Sequence, residues 1–247
     1  MIACGAYELR WQRKRLPMST STKATVLKLH PDQRYAVLTG DVVGSSKLDE
    51  AARRGLPDSL EKASKAARSV FKNTVPLDAD IFRGDSWQLV VADARLGLRV
   101  ALFFRAHLRG NSPGAGLDTR ISIGIGQITF LAKQKVSQGD GPAFRESGKM
   151  LESMPKSRRL ALSITDRETP AGVVAVVALI DVLMVRWTEK QALAVVGALQ
   201  QLKQEEIGNS WNPPVKQQVI ARHLQQASWE TIEKEGLGYV ENTLKAL

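Results

Sequence analysis

The chain has 247 residues, 43% hydrophobic and 24% charged, with a formal net charge of +10. These values allow one large domain or two small ones with real cores, and they argue against a disordered or fibrous protein. The single Cys4 excludes an internal disulfide framework and a cysteine zinc site and fits a reducing cytoplasm, while the positive charge favours anionic partners such as nucleotides or nucleic acid.

The charge is uneven, with a net of +5 in residues 1–34, +6 in 35–187 and −1 in 188–247. The first 17 residues are basic but lack the apolar core of a signal peptide. Residues 1–22 are therefore expected to form a flexible basic tail, with Met18 a candidate natural start. Lys23 to Leu29 reads as a lead-in, in β form. Tyr35 to Leu38 is a short, apolar, β-capable core strand. It leads through Gly40 to Asp41 and then to Gly44, Ser45 and Ser46, small residues whose backbone N–H groups suit phosphate oxygens. Pro57-Asp58-Ser59 is expected to start a helix, with Leu60, Ala63, Ala67, Val70 and Phe71 on one face.

Arg83-Gly84-Asp85-Ser86 is a hairpin turn by composition, between apolar arms Ala79–Phe82 and Trp87–Val91. Asp41 and Asp85 on adjacent strand ends are the minimal carboxylate pair for Mg²⁺ or Mn²⁺ carrying a nucleoside triphosphate. Leu96 to Leu108 reads as a second helix. Arg120 to Ile128 alternates Ile121, Ile123 and Ile125 with Ser122, Gly124 and Gly126, a strand whose small-residue face is expected to lie open to a ligand. Phe144 to Met154 reads as a helix that Asp140 caps. Arg145 and Lys149, four residues apart, share a face of it and could clamp phosphate. Leu160–Ile164 is a further strand. The order β, α, β-β, α, β, α, β predicts an α+β sandwich, close to ferredoxin-like, with helices on one face of a mainly antiparallel sheet. Ala171 to Trp187 is the most apolar run, but it is short for a membrane span and holds Asp181. It is expected to be a buried connecting helix, with no membrane partner.

Asp41-Val42-Val43-Gly44-Ser45-Ser46 resembles the first-strand motif of class III nucleotide cyclases. Arg83-Gly84-Asp85-Ser86, Arg120-Ile121-Ser122-Ile123-Gly124-Ile125-Gly126 and Gly141 to Met150 resemble three further motifs of those enzymes. More narrowly, residues 35–247 are similar to the bacterial SatD family. The likeness implies a nucleotide-cyclase-like domain that generally pairs, here as a homodimer, with Asp41 and Asp85 as metal ligands for Mg or Mn. It also implies nucleotide contacts through Gly44, Ser45, Ser46, Arg83, Arg145 and Lys149. In cyclases an Asn and an Arg steady the ribose and phosphates; Arg145 and Lys149 stand there. Ile81 stands where cyclases carry the Lys that reads the base. The domain is thus expected to be degenerate, a sensor of a nucleotide or other phosphate ligand.

Residues 188–247 read as short helices in series. Thr188 is an N-cap, Ile207 faces inward from a helix over Lys203–Trp211, and Asn212-Pro213-Pro214 breaks the chain. A helix over Val215–Gln226 follows, with Val219, Ile220 and Leu224 inward, and then one over Trp229–Leu247 with Ile232, Leu237, Tyr239, Val240 and Leu244 on its apolar side. The series resembles the helix-turn-helix of LuxR-type regulators and sigma-factor region four. Val215–Gln226 would be the recognition helix, presenting Lys216, Gln217, Gln218, Arg222, His223 and Gln226 to DNA. The expected divisions are 1–22, a cyclase-like domain at 23–168, the connector 169–187 and the helix-turn-helix domain 188–247. The expected function is a cytoplasmic DNA-binding regulator. The alternative is a metal-dependent nucleotidyl cyclase or nucleotidyltransferase acting on nucleoside triphosphates. No Gly-x-Ser-x-Gly, Walker loop or Gly-x-Gly-x-x-Gly occurs, and no two of His30, His107 and His223 are spaced as metal ligands.

Overall fold

The computed structural model describes residues 27–112, 114, 116–133 and 135–247. The expected tail, residues 1–22, and the start of the lead-in lie outside the described residues. Residues 27–30 are not a strand, but Leu27 and Leu29 pack against the buried Tyr35 and Val37.

The architecture is α+β. Strand β1 (Tyr35–Val42) is followed by helix α1 (Glu50–Val70), strands β2 (Asp80–Phe82) and β3 (Ser86–Val91), and helix α2 (Gly97–Gly110). Strand β4 (Thr119–Gly126), helix α3 (Pro142–Ser153) and strand β5 (Leu160–Ile164) complete this part. The five strands form one sheet in the order β2-β3-β1-β4-β5. β1 is central and antiparallel to both β3 and β4, and only β5 runs parallel to its neighbour.

The pleat of β1 divides the core. Ala36, Leu38 and Val42 join Leu60, Ala63, Leu98 and Leu102 on the α1 and α2 side. Tyr35 and Val37 face the other way, toward Ala143 and Phe144 of α3. Helices therefore cover both faces of the sheet, not one. The small-residue face of β4 is not an open ligand shelf, because α3 lies directly on it. A Cβ at Gly124 would stand 2.4 Å from the Ala143 carbonyl oxygen, and the hydroxyl groups of Thr39 and Ser147 meet across the interface at 2.8 Å.

Helix α1 begins seven residues before Pro57, because Asp49 caps it: its side chain accepts from the Ala52 N–H at 2.7 Å. Pro57 sits inside the helix on its exposed side, where water can satisfy the carbonyl that loses its partner. At α3 the carboxylate of Asp140 does not cap the helix; it pairs with Arg145 at 2.6 Å.

The C-terminal part is helical: α4 (Ala171–Val185), α5 (Glu189–Leu199), α6 (Gln204–Ser210), α7 (Gln217–Gln226) and α8 (Trp229–Thr231). A π-helical segment (Ile232–Leu237) then continues into α9 (Gly238–Ala246). Thr188 and Gln191 form the reciprocal capping box that opens α5. Val173, Val177 and Ile180 of α4 and Ala192, Val195 and Leu199 of α5 enter the same buried cluster as the sheet and α2. Ala194, Ile207 and Ile220 form a smaller core where α5, α6 and α7 meet. Tyr239 is 43% exposed and is not a core residue. No helix among the described residues is long and apolar enough to cross a membrane.

Candidate functional site

The carboxylate end of the sheet is built on β1. Asp41 is opposite Ser86 of β3 and Arg120 of β4, and the Val42 N–H donates to the Asp85 carbonyl at 3.0 Å. The two acids thus lie on neighbouring segments at one end of the sheet. Under Asp41 the backbone is held by a chain of hydrogen bonds. The Trp87 indole N–H donates to Thr119 Oγ1 at 3.0 Å, and that hydroxyl donates to the Asp41 carbonyl at 2.8 Å. Trp87 itself stacks on Phe104, with ring centroids 3.9 Å apart. Gly40 makes room for it, since a Cβ there would fall 2.5 Å from the indole ring and 2.7 Å from the Arg120 carbonyl oxygen.

Each acid has a partner. Arg120 grips Asp41 with both arms, Nε to Oδ1 at 2.8 Å and Nη2 to Oδ2 at 2.5 Å. That hydrogen bond, opposed in part by desolvation, raises the Arg120 pKa above its already high ordinary value, so the guanidinium is a permanent cation. Asp85 Oδ2 accepts from the Ser45 hydroxyl at 2.5 Å. The hairpin loop holds Arg83 and Gly84 in left-handed conformations, with φ of 56° and 83°. Gly44 is left-handed as well and opens a short helical turn at Ser45–Lys47. Gly44 and Ser46 are exposed there and Ser45 is half-buried, while Arg83 is exposed on the facing loop.

The structure pairs Asp41 with Arg120 and Asp85 with Ser45, and the backbone bond from Val42 to Asp85 joins the two pairs at one end of the sheet. It does not bring Arg145 or Lys149 to them. Both are exposed on α3, and Arg145 is bound to Asp140 near the helix start. Arg120 Nη1 reaches the Met154 carbonyl just beyond the other end of α3, so about 13 Å of helix, at 1.5 Å per residue, separates Arg145 from that point. Ile81, in the base-reading position, is half-buried against the main core. Arg120 was missed as a partner of Asp41. Its position opposite that residue depends on strand register, and a basic residue opening the strand after an acid-ended one was the available signal.

Two hard oxygen donors at one strand end fit Mg²⁺ or Mn²⁺, which take one or two carboxylates and fill the remaining positions with phosphate oxygens and water. Among the described residues no cluster of three or more His, Cys, Asp or Glu groups is placed to hold a metal alone. A cation at Asp41 would have to share or displace the Arg120 guanidinium.

A second candidate surface is α7. Lys216, Gln217, Gln218, Arg222 and Gln226 are exposed, and Gln218, Arg222 and Gln226 repeat every four residues along one stripe. Ile220 is fully buried on the opposite side. His223 departs from the expected outward set. It is half-buried against Trp211, with ring centroids 5.6 Å apart, and its Nδ1 has no partner among the described residues. Burial, with the nearby charges of Arg222 and Lys190, lowers its pKa, so it offers no cation at neutral pH. Gln226 accepts a weak bond from Gln191, and Gln217 donates one to Gln204, each at 3.4 Å.

The chain matches no model of a known protein family and no characterised protein.

Proposed function

We propose that the protein is a DNA-binding regulator of the SatD type, in which a degenerate nucleotide-cyclase-like domain senses a nucleotide or phosphate ligand. The observation that carries this reading is the exposed row on α7. A short helix rests on its own apolar residue, Ile220, and turns Lys216, Gln218, Arg222 and Gln226 outward with no acid between residues 215 and 226. Such a row suits the major groove, where Arg pairs with guanine and Gln with adenine. The packing of α5, α6 and α7 about one small core supports a helix-turn-helix. The antiparallel series β2-β3-β1-β4 supports a ferredoxin-like, cyclase-like core beneath the sensor site.

Arg222→Ala tests the reading. It should weaken DNA binding by about 1–3 kcal/mol, the range of a bidentate base contact, while leaving the melting temperature nearly unchanged. DNA affinity that stays the same in the variant, or is absent in the parent protein, sinks the proposal.

A second reading has its own observation in the placing of Asp41 and Asp85 on neighbouring segments at one end of the sheet. On it the protein is a metal-dependent nucleotidyl cyclase or nucleotidyltransferase. Mg²⁺ or Mn²⁺ would supply charge neutralisation at the triphosphate. The side chains of Asp41 and Asp85 would hold it, and Ser45 would orient Asp85. Turnover of a nucleoside triphosphate that disappears in Asp41→Ala would establish this reading. The absence of turnover with every triphosphate and both metals would remove it.

A further inference from the structure

Helix α4 is apolar apart from the buried Asp181, yet only one side of it is buried. Val173, Val177, Ile180 and Met184 enter the core. Val174, Leu179, Val182 and Val185 do not, with exposures of 41, 64, 55 and 45%. Ala171 is exposed beside them and Ala178 is half-buried. A contiguous apolar stripe on a water-facing helix marks an interaction surface.

The spacing of the stripe identifies its partner. Ala171, Val174, Ala178, Val182 and Val185 are symmetric about Ala178, in steps of three, four, four and three residues. A second α4 laid antiparallel across Ala178 would therefore set Val174 against Val182 of the second copy, and Ala171 against Val185 of the second copy. The two alanines would meet at the two-fold axis, where small side chains permit close approach. Charge follows the same symmetry. Exposed Glu168 lies just before the helix and exposed Arg186 just after it, so antiparallel pairing brings opposite charges together at both ends. A groove of about 260 Å³, walled by Met150, Met154, Leu160 and Leu162, flanks Val174 and Ala178 and is continuous with the stripe. A pair of helices about 22 Å long covers only part of the roughly 800 Å² per partner of a standard interface, and this groove extends the surface.

We propose that the outer face of α4, with the adjoining groove, is a two-fold homodimer interface centred on Ala178. The interface is self-complementary, as two-fold contacts must be. It draws on neither the DNA nor the nucleotide reading, and its test uses neither ligand.

Mass measurement by light scattering over a concentration series should give the mass of two chains for the parent protein. The double variant Val174→Glu/Val182→Glu should give one chain, with self-association weakened by about 100-fold or more, because it would bury two unpaired carboxylates per chain. Both positions are exposed, so circular dichroism and the melting temperature in dilute, monomeric solution should not change. A second measurement is independent of that variant. In a Cys4→Ser background, which removes the only native cysteine, Ala178→Cys should form a disulfide dimer with oxidised glutathione as the oxidant. Glu61→Cys on the exposed side of α1 should not. A parent protein that is monomeric throughout overturns the proposal, as does a dimer that survives the double variant or cross-links equally at both cysteines. A monomer that binds lipid vesicles through Val174 and Val182 would also overturn it, in favour of a membrane surface.

Discussion

Arg105 and Arg120 each neutralise aspartate, in opposite surroundings. Arg105 is 1% exposed, between Asp118 at 14% and Asp181 at 7%. Its Nε and Nη2 bond Asp118 at 2.7 and 2.9 Å, and Nη1 bonds Asp181 at 2.7 Å. Burial works against its charge, but the two carboxylates outweigh it and the pKa is raised. Arg120 and Asp41 are 21 and 25% exposed, and water reaches both. The same functional groups therefore have different uses. The buried group ties α2, the segment before β4 and α4 into one body, since Asp181 also accepts from the Arg159 N–H at 2.7 Å. The partly exposed pair lies where a competing cation can reach Asp41.

The largest test of this contrast is Arg105→Met. It strands two carboxylates with little access to water and should cost about 3–5 kcal/mol, read as a shifted denaturation midpoint. Adding Asp181→Leu should recover part of that loss. Asp118 would retain Arg109 at 3.4 Å and the Thr119 N–H at 2.9 Å. Failure to recover would mean that the damage is one of packing rather than of stranded charge.

His107 sharpens the comparison from the same helix. It is buried beside Phe103, its Nδ1 has no partner among the described residues, and burial pushes its pKa down to about 4. Burial alone governs its pKa among the described residues, so it stays neutral where Arg105 stays charged. The unfolded chain takes up this proton near pH 6.5 and the folded one only near pH 4. The contribution is therefore complete above pH 6.5 and is lost as pH falls toward 4, by about 3 kcal/mol. His107→Leu should flatten that limb of the stability curve. An unchanged limb would place the acid sensitivity elsewhere.

Gly40→Ala probes the layer beneath the half-exposed pair. The added methyl meets the Trp87 ring and the Arg120 carbonyl, and should cost about 1–3 kcal/mol of stability as overpacking. Retention of full stability would mean that Trp87 moves without penalty.

These two arginine groups were unequally legible. The alternation of Ile121, Ile123 and Ile125, the apolar run before Asp41 and the hairpin at Arg83–Ser86 are local patterns, and the strands appear where those patterns lie. Thr188 and Gln191 likewise announce α5 through a local cap. The buried group is long-range, with Asp181 lying 76 residues from Arg105. Its trace in the sequence is one cation and one anion, each in an otherwise apolar segment. Ser122 and Gly124 misled for a related reason: small residues accommodate a closely packed helix as readily as a ligand, and periodicity within β4 cannot say that α3 lies there. At the candidate site, the residues inside each motif were legible, but the grip of Arg120 on Asp41 depended on the pairing of β1 with β4.

The smallest expected effect on stability is at Asp41. Removing one partner of a half-exposed pair leaves Arg120 in reach of water, so Asp41→Ala should change stability by about 1 kcal/mol or less. Its effect on ligand response should be much larger if the carboxylate end of the sheet is a working site. In the parent protein, Mn²⁺ with a nucleoside triphosphate should raise the melting temperature by mass action, and Asp41→Ala should abolish the rise. Arg120→Met should have the opposite influence on Mn²⁺ alone. It frees the Asp41 carboxylate from its present cation, so the metal should bind more tightly than to the parent protein. If neither variant alters the metal response, Asp41 is a structural acid, its pairing with Arg120 serves β1 and β4 alone, and the contrast with Arg105 is one of degree.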